Sequence, residues 1–167
     1  MSGATIHYLH VGSPVGPLLL AAGEDALRCV EFEVSRHPVR IGADWQPGSN
    51  AVLEETTRQL GEYFAGNRRV FNLPLSPQGT EFQRDVWWRL AEIPFGQTIS
   101  YAQLAARVGK PTATRAVGAA NGRNPLPIVL PCHRVIGADG SLTGFGGGLP
   151  TKQFLLRLEG ALPDRLL

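Results

Sequence analysis

A chain of 167 residues that is 43% hydrophobic, with a mean hydropathy of −0.05, can bury a real core and makes one domain or two small ones sharing an interface. No apolar run is long enough for a bilayer, and the N-terminus lacks the basic flank and apolar stretch of a secretory signal, so a cytoplasmic protein with no membrane partner is expected. The formal charge of +2 is unevenly placed: residues 1–80 hold six Arg and eight acidic residues, whereas residues 81–167 hold ten Lys plus Arg and six acidic ones.

Residues 5–11 have strand composition, and residues 12–17 (Gly-Ser-Pro-Val-Gly-Pro) are turn chemistry. Residues 18–22 and 26–32 give two more strands, split by Gly23, Glu24 and Asp25, so an antiparallel meander is expected. Cys29 should pack inside it, and His7 and His10 should lie on its surface. Cys29 and Cys132 are the only cysteines, which fits reduced thiols better than a disulfide framework. Neither they nor the four histidines have zinc-finger spacing, so no metal is expected. Residues 36–49 read as a loop. Asn50 is a good N-cap for a helix to about Ala65, with Gly66 just past its end and Val52, Thr56, Leu60 and Phe64 along one face. Residues 68–73 are expected to return as a strand. The Pro- and Gly-containing segment 74–79 is the best linker, dividing the chain into an N-terminal domain, residues 1–78, and a C-terminal domain, residues 79–167.

Thr80 opens a helix with Gln83 three residues on, the pattern of a capping box, and Phe82, Val86 and Leu90 form its apolar face. Trp87 and Trp88 read as core and packing bulk. Ser100 with Gln103 repeats the capping box for a helix closed by Gly109, and a further helix runs from Thr112 to about Gly122. Two short helices joined by a Gly-containing turn suggest a helix-turn-helix. From Ile93 to Ala138 there is no acidic residue, while Arg107, Lys110, Arg115, Arg123 and Arg134 fall inside, the charge expected of a surface for a polyanion. The second helix is nearly all small residues with the single Arg115, too poor in long side chains for reading base edges in the major groove. Small residues with one protruding Arg suit a minor-groove contact. A solvated basic face carrying an Ala-rich packed helix is the alternative.

Ile128, Val129 and Leu130 read as a short buried strand that Pro131 should interrupt, leaving Cys132 where order breaks open. His133 and Arg134 can both favour a thiolate, although an inert buried thiol is the ordinary state of a free cysteine. Neighbours in an extended segment point to opposite faces, so proton transfer from Cys132 to His133 is expected to need a bridging water. Residues 137–141 form a turn, residues 144–148 a Gly-rich loop able to approach a ligand, and Thr151 a cap for the last helix. Glu159 ends that helix, where a carboxylate is disfavoured by the helix dipole unless something such as His133 compensates it; the alternative is a solvent-exposed acid.

Taken as a string, Pro131-Cys132-His133-Arg134-Val135-Ile136 resembles the active-site motif of the O-6-alkylguanine-DNA alkyltransferases, or methylated-DNA–protein-cysteine methyltransferases. The resemblance runs from about Thr80 to Gly160 through residues 99–105, 115–118, Asn124-Pro125 and 158–160. It implies an α/β (α+β) fold: a small antiparallel-sheet and helix domain, ribonuclease H-like by resemblance, then a mostly helical domain with a helix-turn-helix and a short strand carrying the nucleophile. It implies transfer of an alkyl group from O-6-alkylguanine, and from O-4-alkylthymine, in double-stranded DNA to Cys132, once per molecule. The implied roles are nucleophile for Cys132, base through water for His133, orientation of His133 for Glu159, hinge for Asn124, and flipping and base hydrogen bonding for Tyr101. Arg115 would fill the space of the extruded base, with Thr112, Ala113, Thr114, Ala116, Ala119 and Arg123 on DNA and Val135, Phe145 and Gly146 lining the pocket. No cofactor is implied, and a monomer is expected, with cooperative loading on DNA left open. Many relatives carry Ser at the position of Gly146, so a roomier pocket is expected, and with only Cys29 in the N-terminal half this chain lacks the thiolates of the zinc found in some animal relatives. The competing readings are a non-catalytic lesion-binding relative, in which Trp replaces the nucleophile, a transcription factor, and a cysteine hydrolase.

Overall fold

The computed structural model of the chain describes residues 5–35, 37–38, 41–142 and 145–162. Its first half is a four-stranded sheet with one helix. Strands β1 (His7–Val11), β2 (Leu18–Ala22) and β3 (Leu27–Phe32) form the expected antiparallel meander, with Leu9 opposite Leu20 and Leu20 opposite Val30. Every residue of β2 is buried, because it lies centrally in the order β3-β2-β1-β4. The fourth strand, β4 (Gln46–Pro47), lies in the stretch expected to be loop and pairs parallel with β1. Two residues ending in Pro carry no alternation, so nothing local marks them as a strand.

Helix α1 (Ala51–Phe64) starts where Asn50 accepts the Leu53 amide. The Asn50 amide also donates to the Ala22 carbonyl, so one cap fastens the helix to the sheet. Gly66 follows at φ 83, the left-handed end that glycine allows. Residues 68–73 are not a strand. Their only continuation into the sheet is a bridge between Leu75 and Leu27, because Gln59 on α1 takes up both the amide and the carbonyl of Asn72.

The second half is helical. Both capping boxes are present, Thr80 with Gln83 opening α2 (Glu81–Leu90) and Ser100 with Gln103 opening α3 (Tyr101–Arg107). Helix α4 (Thr114–Gly122) begins two residues after Thr112, with Ala113 at its N-cap, and packs on α2 and α3. Trp87 is buried and its indole N–H donates to the Ala120 carbonyl, fixing α2 against α4. Trp88 corrects the expectation of core bulk: it is 43% exposed, since its neighbour already occupies the inward face. Helix α5 (Leu149–Leu158) starts before Thr151, at Gly148, with Pro150 in its first turn.

The largest departure concerns the approach to Cys132. Ile128–Leu130 is buried but is no strand: Ile128 has φ 75, and the Leu130 amide bonds the Leu126 carbonyl in a tight turn. Pro125, Pro127 and Pro131 remove ladder donors along this stretch, so a turn replaces the pairing that hydrophobicity suggested. Residues Cys132–Arg134 then form a single 3-10 turn, and only Val135–Ile136 (β6) is extended, paired in parallel with β5 (Ile99–Ser100). One core runs through both halves, from Leu20 and Val30 to Leu104, Val117 and Leu155. Among the described residues no helix is long and apolar enough to cross a membrane.

Candidate active site

Asn124 sits just beyond α4 and binds the turn on both sides. Its Nδ2 donates to the Leu130 carbonyl at 2.7 Å and its Oδ1 accepts the Leu126 amide at 2.9 Å. The end of α4 and the loop before the thiol are therefore tied together. Asn121, on the last turn of α4, donates to the Cys132 carbonyl at 3.4 Å. Cys132 is 5% exposed at the floor of a cleft that Asn124, Pro127, Phe145 and Gly146 also line. Strand β3 and Ser35 and His37 after it complete the wall, so the N-terminal half bounds the space above the thiol.

Behind Cys132 lies a buried polar cluster. His133 Nε2 is 2.8 Å from Glu159 Oε2. Arg134 grips the same carboxylate from two sides, Nε to Oε1 at 2.8 Å and Nη2 to Oε2 at 3.0 Å, and its Nη1 donates to the Ile93 carbonyl at 2.6 Å. Tyr63, from α1, donates its hydroxyl to Oε2 at 2.6 Å. Glu159 is thus no exposed acid. Burial alone would raise its carboxyl, but the hydrogen bonds from His133 and Arg134 outweigh that and hold it at about 2. Burial pushes the His133 imidazole below its ordinary value despite the carboxylate, so it rests neutral. An acceptor-only carboxylate on Nε2 places the proton there. Nδ1 is then the unprotonated nitrogen, and it is buried with no hydrogen-bond partner among the described residues.

Burial pushes the Cys132 thiol up to about 11, against opposing pulls from a hydrogen bond with Asn124 and from the Lys152 ammonium. The cation that acts on the sulfur is therefore Lys152 and not Arg134, whose guanidinium is committed to Glu159 and Ile93. Lys152 is fully buried on α5, donates to the Val135 carbonyl at 2.7 Å and lies 6.0 Å above the Tyr101 ring. Burial lowers it to about 8, with the nearby Cys132 opposing. Reasoning from sequence missed Lys152 and Tyr63. A lysine in the first turn of a helix reads as solvent-facing, and a tyrosine beside Phe64 reads as core.

The remaining expected residues divide into two groups. Phe145 and Gly146 lie on the cleft with Cys132, and Arg123 borders it. Val135 does not line it, being wholly buried with its carbonyl taken by Lys152. Tyr101 is half-buried beside α4, where a Cβ at Gly118 would sit 3.6 Å from its ring. Thr112, Arg115, Ala116 and Ala119 are exposed, and Ala113 and Thr114 half-buried, along the outer side of α4 and the turn before it. Gly144 lies outside the described residues. Among those described, no group of three or more His, Cys, Asp or Glu could hold a metal ion.

Two family profiles match the chain. One is the ribonuclease-like domain of 6-O-methylguanine DNA methyltransferase, over residues 6–77, and the other is the DNA-binding domain of the same protein, over residues 81–161. A methylated-DNA–protein-cysteine methyltransferase from Methanosarcina barkeri is 48% identical over 92% of this chain and 97% of its own length. One from Mycobacterium leprae is 48% identical over 92% of each chain. Among solved structures, Mycobacterium tuberculosis OGT in complex with DNA superposes with a TM-score of 0.86 at 43% identity over 93% of both chains. With such relatives aligned along more than nine-tenths of its length, this chain belongs to the methylated-DNA–protein-cysteine methyltransferase family.

Proposed function

We propose that this protein repairs DNA by moving the alkyl group of O-6-alkylguanine onto Cys132, irreversibly and once per molecule. The observation that carries this is the cleft-floor thiol backed by a buried imidazole whose Nδ1 is bare and whose Nε2 is held by a carboxylate. A thiol at about 11 is ionised in roughly one molecule in ten thousand at neutral pH. Attack therefore needs the proton removed as the sulfur closes on the alkyl carbon. It passes through a bridging water to His133 Nδ1, and Glu159 and Arg134 keep the imidazole oriented while it takes up charge. The S–C bond forms as the C–O bond to guanine breaks. The base departs with the electron pair, its developing charge met by a hydrogen bond from the Tyr101 hydroxyl. Lys152 steadies the sulfur in the same step. The product thioether has no thiol or reductant beside it to reverse the bond.

Guanine stacked in a duplex is out of reach, so the nucleotide must rotate into the cleft. The outer side of α4 suits the minor groove, with Ala116 and Ala119 allowing close approach and exposed Arg115 filling the vacated stack. Asn124 is the hinge that couples this helix to the nucleophile's turn. Residues 79–167 carry DNA binding and chemistry, and residues 1–78 wall the cleft. The protein works as a monomer in the cytoplasm on double-stranded DNA carrying the lesion. A non-catalytic lesion binder would have no use for a thiol and its relay. Incubation with a methylated duplex, followed by peptide mass mapping, should place one methyl on the Cys132 peptide, and Cys132→Ser should leave the lesion untouched. Removal of the lesion by Cys132→Ser at the parent's rate overturns the proposal.

A further inference from the structure

Glu159 ends α5, where exposed carbonyls make a carboxylate unwelcome, so its position depends on the donors around it. Two of these, His133 and Arg134, belong to the same 3-10 turn as Cys132 and move with it. The third, Tyr63, does not. It stands on α1, ninety-six residues away in sequence, and its ring is locked by Phe64, Phe71 and Phe95 at centroid distances of 5.2, 5.4 and 6.4 Å. Its hydroxyl shares Oε2 with His133 Nε2 and Arg134 Nη2. Oε2 can only accept, so the Tyr63 proton, the one of the three that comes from outside the turn, restricts the direction from which the imidazole N–H can bond it.

We propose that Tyr63 is a positioning residue for alkyl transfer: its hydroxyl anchors the Glu159 carboxylate to the N-terminal half and thereby holds His133 with the proton on Nε2 and Nδ1 free for the thiol. This rests on the alkyl transfer proposed above. It gives the N-terminal half a part in the chemistry beyond walling the cleft, because the reference point for the relay lies outside the turn that carries the nucleophile.

Tyr63→Phe removes one oxygen and keeps the ring. The second-order rate constant for methyl transfer from a methylated duplex should fall about tenfold, the size of a hydrogen bond to a charged group. Imidazole nitrogen chemical shifts should move from the Nε2–H tautomer toward a mixture, while the methyl still arrives on Cys132. Cys29→Ser, which lowers the stability of the same half away from Tyr63, should retain the parent's tautomer and rate. A parent-like rate and tautomer in Tyr63→Phe overturns the proposal, and so does Cys29→Ser reproducing the loss. The parent supplies a further readout that needs no variant to fold. The Tyr63 hydroxyl proton and the His133 Nε2 proton converge on one oxygen and should show a mutual Overhauser effect; its absence also overturns the proposal. A parent that never gains a methyl on Cys132 sinks the alkyl transfer and this role together. A parent that gains one while Tyr63→Phe is unaffected sinks this role alone.

Discussion

Cys29 and Cys132 are both free, both buried and both poor acids, yet they stand in different settings. Cys29 sits in β3 opposite Ala21, and burial, with Glu31 adding to it and Arg28 opposing, pushes it to about 12. Cys132 is sequestered to a similar degree and reaches about 11. The gap in resting acidity is small. What differs is what faces the sulfur. Cys29's strand is committed to its sheet ladder, and the carboxylate that acts on its thiol, Glu31, opposes ionisation. Cys132 rides on a turn at a cleft, where the Asn124 side chain and the Lys152 ammonium both act on its sulfur. On the proposed alkyl transfer, reactivity comes from the geometry of proton acceptors and not from an acidic thiol.

The strongest way to narrow that contrast is to take away the ammonium. Lys152→Met keeps the bulk of the side chain and removes its charge and its bond to the Val135 carbonyl. Transfer to Cys132 should slow by about tenfold, equivalent to one pKa unit of lost support for the thiolate. An unchanged rate would mean that Lys152 serves packing alone. The same substitution has a signature in stability. The folded Lys152 lies at about 8 against an ordinary 10.5, so between those values the unfolded chain binds more protons than the folded one. The parent should therefore gain stability as pH rises from about 8 to about 10.5, while the buried charge is discharged. Urea midpoints of Lys152→Met measured across that window should lack this part of the rise.

Lys152 also marks the limit of what the sequence alone could show. The meander, the Asn50 cap and both capping boxes were legible, because strand alternation and S/T-x-x-Q spacing are local physics. The motif also picked out Cys132, His133 and Asn124 together. The turn at Ile128–Leu130 was not legible, because three consecutive buried hydrophobes look alike in a strand and in a proline-bounded turn. Nor was the inward aim of Lys152, which rests on its bond to the Val135 carbonyl, seventeen residues away in sequence. Tyr63 depended on a contact across ninety-six residues, which no local pattern carries.

A smaller effect tests the cleft above Cys132. Gly146 lines it, and among the described residues a Cβ there would meet only the Gly122 carbonyl, at 3.5 Å. Serine fits the backbone, so its hydroxyl must take room from the cleft. Gly146→Ser should slow transfer of a benzyl group severalfold more than transfer of a methyl group, on the order of the 1–3 kcal/mol that one or two groups decide in an apolar pocket. Equal slowing of both, or of neither, would remove Gly146 as a determinant of adduct size.

The smallest effect on transfer should come from the other thiol, and it completes the contrast. Cys29→Ser exchanges a buried sulfur for a hydroxyl in the apolar interior of the sheet, beneath Ala21 and beside Val30. A hydroxyl buried there without a partner should cost about 1–3 kcal/mol of folding stability, read as a lower urea midpoint. Methyl transfer by the folded fraction should equal the parent's, with the whole of the label on the Cys132 peptide. A rate that fell in Cys29→Ser at temperatures where the protein is fully folded would show that the sheet thiol reaches the reaction after all. Because β3 lines the cleft through Val30, Glu31 and Phe32, such a fall would have to act through that wall. The aromatic contact of Phe32 with Phe145, 5.6 Å between centroids, is the route along which the displacement would pass.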